Sequence, residues 1–180
     1  MSEKALKDKT VRGVVWSFAD NIASTGITFL VGLVLARLLT PEEYGLIGII
    51  AIFIAVSNSI VNSGFSSALI RKKQATGLDY DTVFLVNILL SALMFGVMYV
   101  GAPLISGFFG EPQLIPLTRV MGIILVINAF ALVQQTILVK KIDFKTQTKI
   151  SLIASIISGV VGIGMAIGKC GVWSLVGQQI

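Results

Sequence analysis

Long apolar runs, each wide enough to cross a bilayer as a helix, alternate in this chain with short connectors that hold most of its basic residues. Lys4, Lys7, Lys9 and Arg12 precede the first run, Arg71, Lys72 and Lys73 follow the second, and Lys140, Lys141, Lys145 and Lys149 follow the fourth. Only Arg37, Arg119 and Lys169 lie near the opposite ends. Lys and Arg resist translocation, so the pattern predicts a cytoplasmic N-terminus with spans alternating from there. The Val14–Ala36 run holds 23 residues, about 34 Å as a helix, which exceeds a signal-peptide core and suits a retained span.

Apolar continuity read against helix breakers predicts an all-α polytopic bundle with spans near 14–36, 41–62, 81–102, 116–139 and 150–168, and a further apolar stretch from Val172. That last stretch reaches Ile180 in 9 residues, less than half a crossing, which points to the N-terminal part of a longer protein. Thr40-Pro41-Glu42-Glu43 reads as a helix start, with Thr40 as N-cap and Glu43 closing a capping box. Asp79 and Asp81 read as caps of the third span. Gly107 to Pro112 reads as a turn with interfacial aromatics, and Gly64 breaks the second helix. The segment Phe65 to Ile70 is either a last bent turn or a short interfacial helix.

A composition 55% hydrophobic and 13% charged is too apolar for a soluble domain of 180 residues. The net charge of +5 sits in membrane-flanking connectors and not on one face, which speaks for topology and against nucleic acid. With no histidine and a single cysteine, Cys170, neither a metal site nor a Cys-His nucleophile has its ligands, so no metal, cofactor or hydrolytic activity is expected.

Polar residues inside the spans are then the functional candidates. On a helical wheel with Asp20 at zero, Ser24, Ser17, Thr28, Asn21 and Thr25 fall at about 40°, 60°, 80°, 100° and 140°. They form one polar face, which either lines a cavity or satisfies itself locally, with Asp20 reaching the headgroups. Arg37 falls at about 260°, off that face, and Arg119 opens the fourth span. Each is an interfacial anchor or, turned inward, a phosphate ligand. Asn58 and Asn62 share a face of span two, and Asn87 and Ser91 one of span three. Asn128, Gln134 and Gln135 complete the set on span four, and each amide is either a functional group or, the better reading for a single amide, an interhelical hydrogen-bonding group. In span five, Ser151, Ser155 and Gly159 make one small-residue row and Ala154, Ser158 and Gly162 another, predicting close approach of neighbouring helices.

The stretches Leu35-Ala36-Arg37-Leu38-Leu39-Thr40-Pro41-Glu42-Glu43-Tyr44-Gly45 and Gly64-Phe65-Ser66-Ser67-Ala68-Leu69-Ile70-Arg71-Lys72-Lys73 resemble the oligosaccharide flippases of bacterial polysaccharide and O-antigen assembly. Val133-Gln134-Gln135, Lys140 to Lys145 and Gly171-Val172-Trp173-Ser174-Leu175-Val176 resemble the same group. That family belongs to the multidrug/oligosaccharidyl-lipid/polysaccharide exporter superfamily. The resemblance implies the first of two pseudo-symmetric bundles, with the C-terminal bundle as its partner. It also implies a polyprenyl-pyrophosphate-linked oligosaccharide as substrate, surrounding membrane lipids, and a coupling ion, proton or sodium. Asp20, Asn21, Ser24, Thr25, Arg37, Asn62 and Arg119 are the candidate substrate or ion ligands. A cation-coupled multidrug exporter of the same superfamily and a small membrane scaffold are the competing expectations.

Overall fold

In the computed structural model, residues 3–62, 77–140 and 144–180 are described, with side chains from Phe18 onward except at positions 19, 20, 140, 144 and 145. The described residues are helical, without strands. They form α1 (Glu3–Leu38), α2 (Pro41–Val61), α3 (Gly77–Phe109), α4 (Leu114–Met121), α5 (Ile123–Lys140), α6 (Phe144–Ile167) and α7 (Trp173–Gln179). Five stretches are long and apolar enough to cross a membrane: Asn21–Leu38, Pro41–Val61, Gly77–Phe109, Leu114–Val139 and Thr146–Ile167. On α3, Leu85, Leu89, Leu93, Val97, Val100 and Leu104 are exposed at spacings of three or four residues. An outward apolar stripe of that kind suits lipid as its solvent. The protein is an all-α, multi-pass membrane bundle.

The helix boundaries follow local chemistry. Thr40 opens α2 through the anticipated capping box: its backbone N–H donates to Glu43 Oε2 at 2.8 Å, and Glu43 N–H donates to Thr40 Oγ1 at 3.4 Å. Replacing Thr40 by alanine should cost about 0.5–2 kcal/mol, read as a lower thermal unfolding midpoint in detergent. An unchanged midpoint would show that the cap is dispensable. Asp79 and Asp81 are not caps, because α3 already begins at Gly77. Asp79 lies in the first turn, where its carboxylate still meets the positive end of the helix.

The third span also runs past its expected end. Pro103 lies inside α3, which continues to Phe109, since a transmembrane helix tolerates a proline whose freed carbonyl finds another partner. Gly110 at φ 73 then stops it, with Glu111 N–H donating to Ser106 O and Ser106 Oγ to Glu111 O. The expected fourth span is two helices, α4 and α5, separated at Gly122. A Cβ on Gly122 would stand 3.0 Å from the Phe95 ring of α3, so the missing side chain is what lets the break nest there. Phe65 to Ile70, with its two open readings, lies outside the described residues.

One core cluster joins Val31, Leu35 and Leu39 of the α1 end to Ile47, Ile50 and Ile54 of α2 and Met98 of α3. Leu114, Leu117 and Met121 of α4, Leu125 of α5, Ala166 of α6 and Val172, Leu175 and Val176 around α7 complete it. This core gathers the helix ends remote from the basic connectors. Toward those connectors α2, α3 and α5 stay packed through Ser57, Val61, Asn87, Ser91, Ala129, Val133 and Thr136. Asn87 is fully buried there and its Nδ2 reaches Val61 O at 3.5 Å, tying α3 to the last turn of α2.

α1 and α6 behave differently. Their most extensive packing is with each other, yet none of the described α1 side chains from Phe18 to Leu30 is buried. The two small-residue rows of α6 serve two neighbours. A Cβ on Gly159 would stand 2.6 Å from Val31 Cγ2 of α1, and one on Gly162 would stand 3.0 Å from Gln178 Cβ of α7. Beside the latter, Ser158 Oγ donates to Gln178 O at 2.7 Å.

Candidate functional site

Because α1 is packed at its far end and uncovered along its middle, its polar face remains open. Ser24 is half-buried while Thr25 and Thr28 are exposed, and these three hydroxyls with Phe29 line a cavity of about 420 Å³. Asn21 is exposed one turn before them and already has an interaction partner, as does Ser24. Asp20 belongs to α1 by its backbone, and its side chain lies outside the described residues. The hydroxyls present donors and acceptors without net charge, so by themselves they suit water, a cation's hydration shell or another hydroxylated species.

The other sequence-nominated residues stand apart from this face. Arg37 is exposed, twelve residues beyond Thr25 and hence about 18 Å further along α1. It shares an open groove of about 460 Å³ with the apolar side chains Leu33, Val34 and Leu38 of α1 and Ile163 and Ile167 of α6. An apolar groove with a guanidinium at its rim fits an amphiphile with an anionic head. Asn62 is exposed and ends α2 through its backbone, whose N–H donates to Asn58 O at 2.8 Å. Arg119, on α4, places its guanidinium 4.4 Å from the centroid of the Tyr99 ring on α3. Tyr99 in turn packs at 5.9 Å from Phe95, so this arginine clamps α4 to α3 by a cation–π contact. Its Nε is buried without a hydrogen-bond partner.

A further cavity, of about 320 Å³, opens between α5 and α6 near the basic connector. Gln134, Gln135, Gln147 and Ser151 line it together with Ala131, Leu138 and Ile150. Gln134 and Gln135 are residues the sequence offers as interhelical hydrogen-bonding groups, and Gln147 lies outside the polar set it singles out. The available signal was the pair of antiparallel helices joined by a short connector, which brings Gln134 opposite residues about a dozen positions later. Among the described residues no group of three or more His, Cys, Asp and Glu side chains is placed to hold a metal ion.

Comparison with known proteins places these features in a family. The chain is 27% identical over 171 residues to the succinoglycan biosynthesis transport protein ExoT of Rhizobium meliloti, a match covering 94% of this chain and 35% of that protein. It is 27% identical over 154 residues to the teichuronic acid biosynthesis protein TuaB of Bacillus subtilis, covering 86% and 32%. The lipopolysaccharide biosynthesis protein WzxC of Escherichia coli matches at 22% over 140 residues, covering 78% and 28%. The chain thus spans about a third of the length of these curated relatives. No solved structure matches it. The sequence profile of one family, described as polysaccharide biosynthesis protein, matches residues 34–180, from the end of α1 through α7. By that match the chain belongs to the polysaccharide biosynthesis protein family of membrane proteins.

Proposed function

We propose that this bundle is the N-terminal part of a flippase that carries polyprenyl-pyrophosphate-linked oligosaccharide across the bacterial inner membrane for polysaccharide or lipopolysaccharide synthesis. The carrying observation is the uncovered polar face of α1 in a bundle whose core gathers at one end. Hydroxyls cost free energy against hydrocarbon and little against water or a hydroxylated substrate, so a face of this kind suits a cavity wall. A second bundle of the same protein would close the other side of that cavity and rock against this one. The relatives' names, which speak of succinoglycan biosynthesis transport and of teichuronic acid and lipopolysaccharide biosynthesis, favour this reading over drug export or a scaffold.

In this reading the N-terminus and the basic connectors lie in the cytoplasm, which the Lys and Arg distribution supports. Asp20, Asn21, Ser24 and Thr25 form the cavity face, with Asp20 as the site of cation coupling, to proton or sodium. Arg37, exposed above an apolar groove, is better placed to meet the lipid pyrophosphate than Arg119, which Tyr99 already engages. The chemistry is translocation, with no bond made or broken in the substrate.

The test uses the full-length protein in its producing strain. Deleting the gene should leave lipid-linked oligosaccharide accumulating on the cytoplasmic face, and Asp20→Asn should slow its appearance outside severalfold at unchanged membrane level. Normal surface polysaccharide in the deletion strain sinks the flippase reading. Normal export by Asp20→Asn removes only the carboxylate from it.

A further inference from the structure

The cavity between α5 and α6 has an unusual lining for a place inside a membrane bundle. Three carboxamides and a hydroxyl, from Gln134, Gln135, Gln147 and Ser151, converge on it with no charged side chain among them. Gln134 and Gln135 are exposed, and Gln147 Oε1 is buried with no hydrogen-bond partner. Each amide offers two donors and one acceptor, and lipid tails can satisfy none of them. An amide left facing hydrocarbon costs free energy, so three of them gathered around one opening, one with a buried and unpartnered oxygen, suit an occupant able to donate and accept.

The remaining walls narrow the chemistry. Ala131, Leu138 and Ile150 give the cavity an apolar side. A pyranose ring has the matching character, with hydroxyls around its edge and C–H groups on its faces. The described lining residues carry no charge, which suits a neutral unit, since a phosphate or ammonium group would meet no counter-charge among them. At about 320 Å³ the cavity lies at the lower end of small-ligand sites, room for a short stretch of sugar and not for a whole repeat. Gln134 is six residues from Lys140, about 9 Å along α5, and Gln147 sits in the first turn of α6. The cavity therefore opens at the basic-connector end, the side on which substrate is loaded in the proposed orientation.

We infer that Gln134, Gln135, Gln147 and Ser151 form a subsite for a neutral saccharide unit of the substrate, separate from the polar face of α1. This rests on the flippase reading. The subsite grips the sugar by hydrogen bonds before translocation, while the lipid carrier is held elsewhere.

The test measures binding to the purified full-length protein in lipid nanodiscs, with two probes. One is the polyprenyl-pyrophosphate oligosaccharide extracted from the producing cells, and the other is polyprenyl pyrophosphate without sugar. Wild type should hold the sugared carrier more tightly. Gln134→Leu combined with Gln147→Leu should weaken the sugared carrier about tenfold, the loss of roughly two hydrogen bonds, and leave the sugarless one unchanged. Retained sugarless binding doubles as the folding control. Should Gln147→Leu misfold, Gln134→Leu alone, at an exposed position, must still show a selective loss. If wild type discriminates and the variants discriminate equally well, the subsite is overturned while the flippase reading stands. Equal weakening of both probes assigns these glutamines to packing and also overturns it. Wild-type protein that binds neither carrier overturns the flippase reading and the subsite with it.

Discussion

Gly159→Leu is expected to push α1 away from α6 and to destabilise the bundle by about 1–3 kcal/mol, the usual cost of overpacking a closed contact. A Cβ at this position would lie 2.6 Å from Val31 Cγ2 and 3.8 Å from Val31 Cβ, and leucine adds three further carbons on that side. Val31 cannot swing clear, because a β-branched side chain in a helix is confined to one χ1 rotamer. The consequence falls heavily on α1, whose most extensive packing is with α6 and whose middle section has no buried side chain. Gly159→Ala tests the same contact more gently: the clash is partly offset by about 1 kcal/mol of helix propensity gained over glycine. Val31→Ala vacates the space, so the double variant Gly159→Ala/Val31→Ala should recover more than the sum of the single changes. A coupling above about 0.5 kcal/mol in that cycle, from thermal unfolding in detergent, is the expected reading. Strict additivity would show that the two residues do not oppose each other.

The contact between Gly159 and Val31 illustrates how far the sequence could be read. The small rows of the fifth span announced close approach, but spacing alone did not say that Gly159 faces α1 while Gly162 faces α7. That division depends on which helices lie on either side, a long-range fact. Hydropathy placed the spans because lipid demands long apolar helices with satisfied backbones, and the capping box at Thr40 was legible because its chemistry is confined to four residues. Where competition among elements decides, the reading erred. Asp79 and Asp81 have the chemistry of caps, yet α3 begins before them. The apolar pattern ends the third span near residue 102, yet the helix runs on through Pro103 to Phe109. The site shows the same division. The wheel angle of Ser24, Thr25 and Thr28 needs only α1, so the shared face was visible, and the cavity they line agrees with it. Arg119 on Tyr99 and the glutamines facing each other across α5 and α6 join residues from different helices, and nothing local encodes those meetings.

Gly171→Val should destabilise by about 2–4 kcal/mol, combining a left-handed backbone penalty with damage to the Thr40/Glu43 helix cap, which lies 128 residues earlier in the chain at Glu43. Gly171 has φ 56, in the left-handed region, at the turn between α6 and α7. The backbone alone is not prohibitive, since Lys169 adopts φ 58 two residues earlier with a full side chain. What distinguishes Gly171 is its neighbour: a Cβ there would collide with Glu43 Oε1. The other carboxylate oxygen of Glu43 accepts the Thr40 N–H at 2.8 Å, so displacing this side chain opens the capping box at the start of α2. The turn before α7 and the turn before α2 are thus fitted to one carboxylate. Asparagine tolerates left-handed φ, so Gly171→Asn isolates the collision from the backbone penalty. In a Glu43→Ala background the cap is already lost and the space vacated, and Gly171→Asn should then cost little. Unfolding midpoints of the four proteins in this cycle give the result directly. If Gly171→Asn is as harmful without the Glu43 carboxylate as with it, the two turns are not coupled through that side chain.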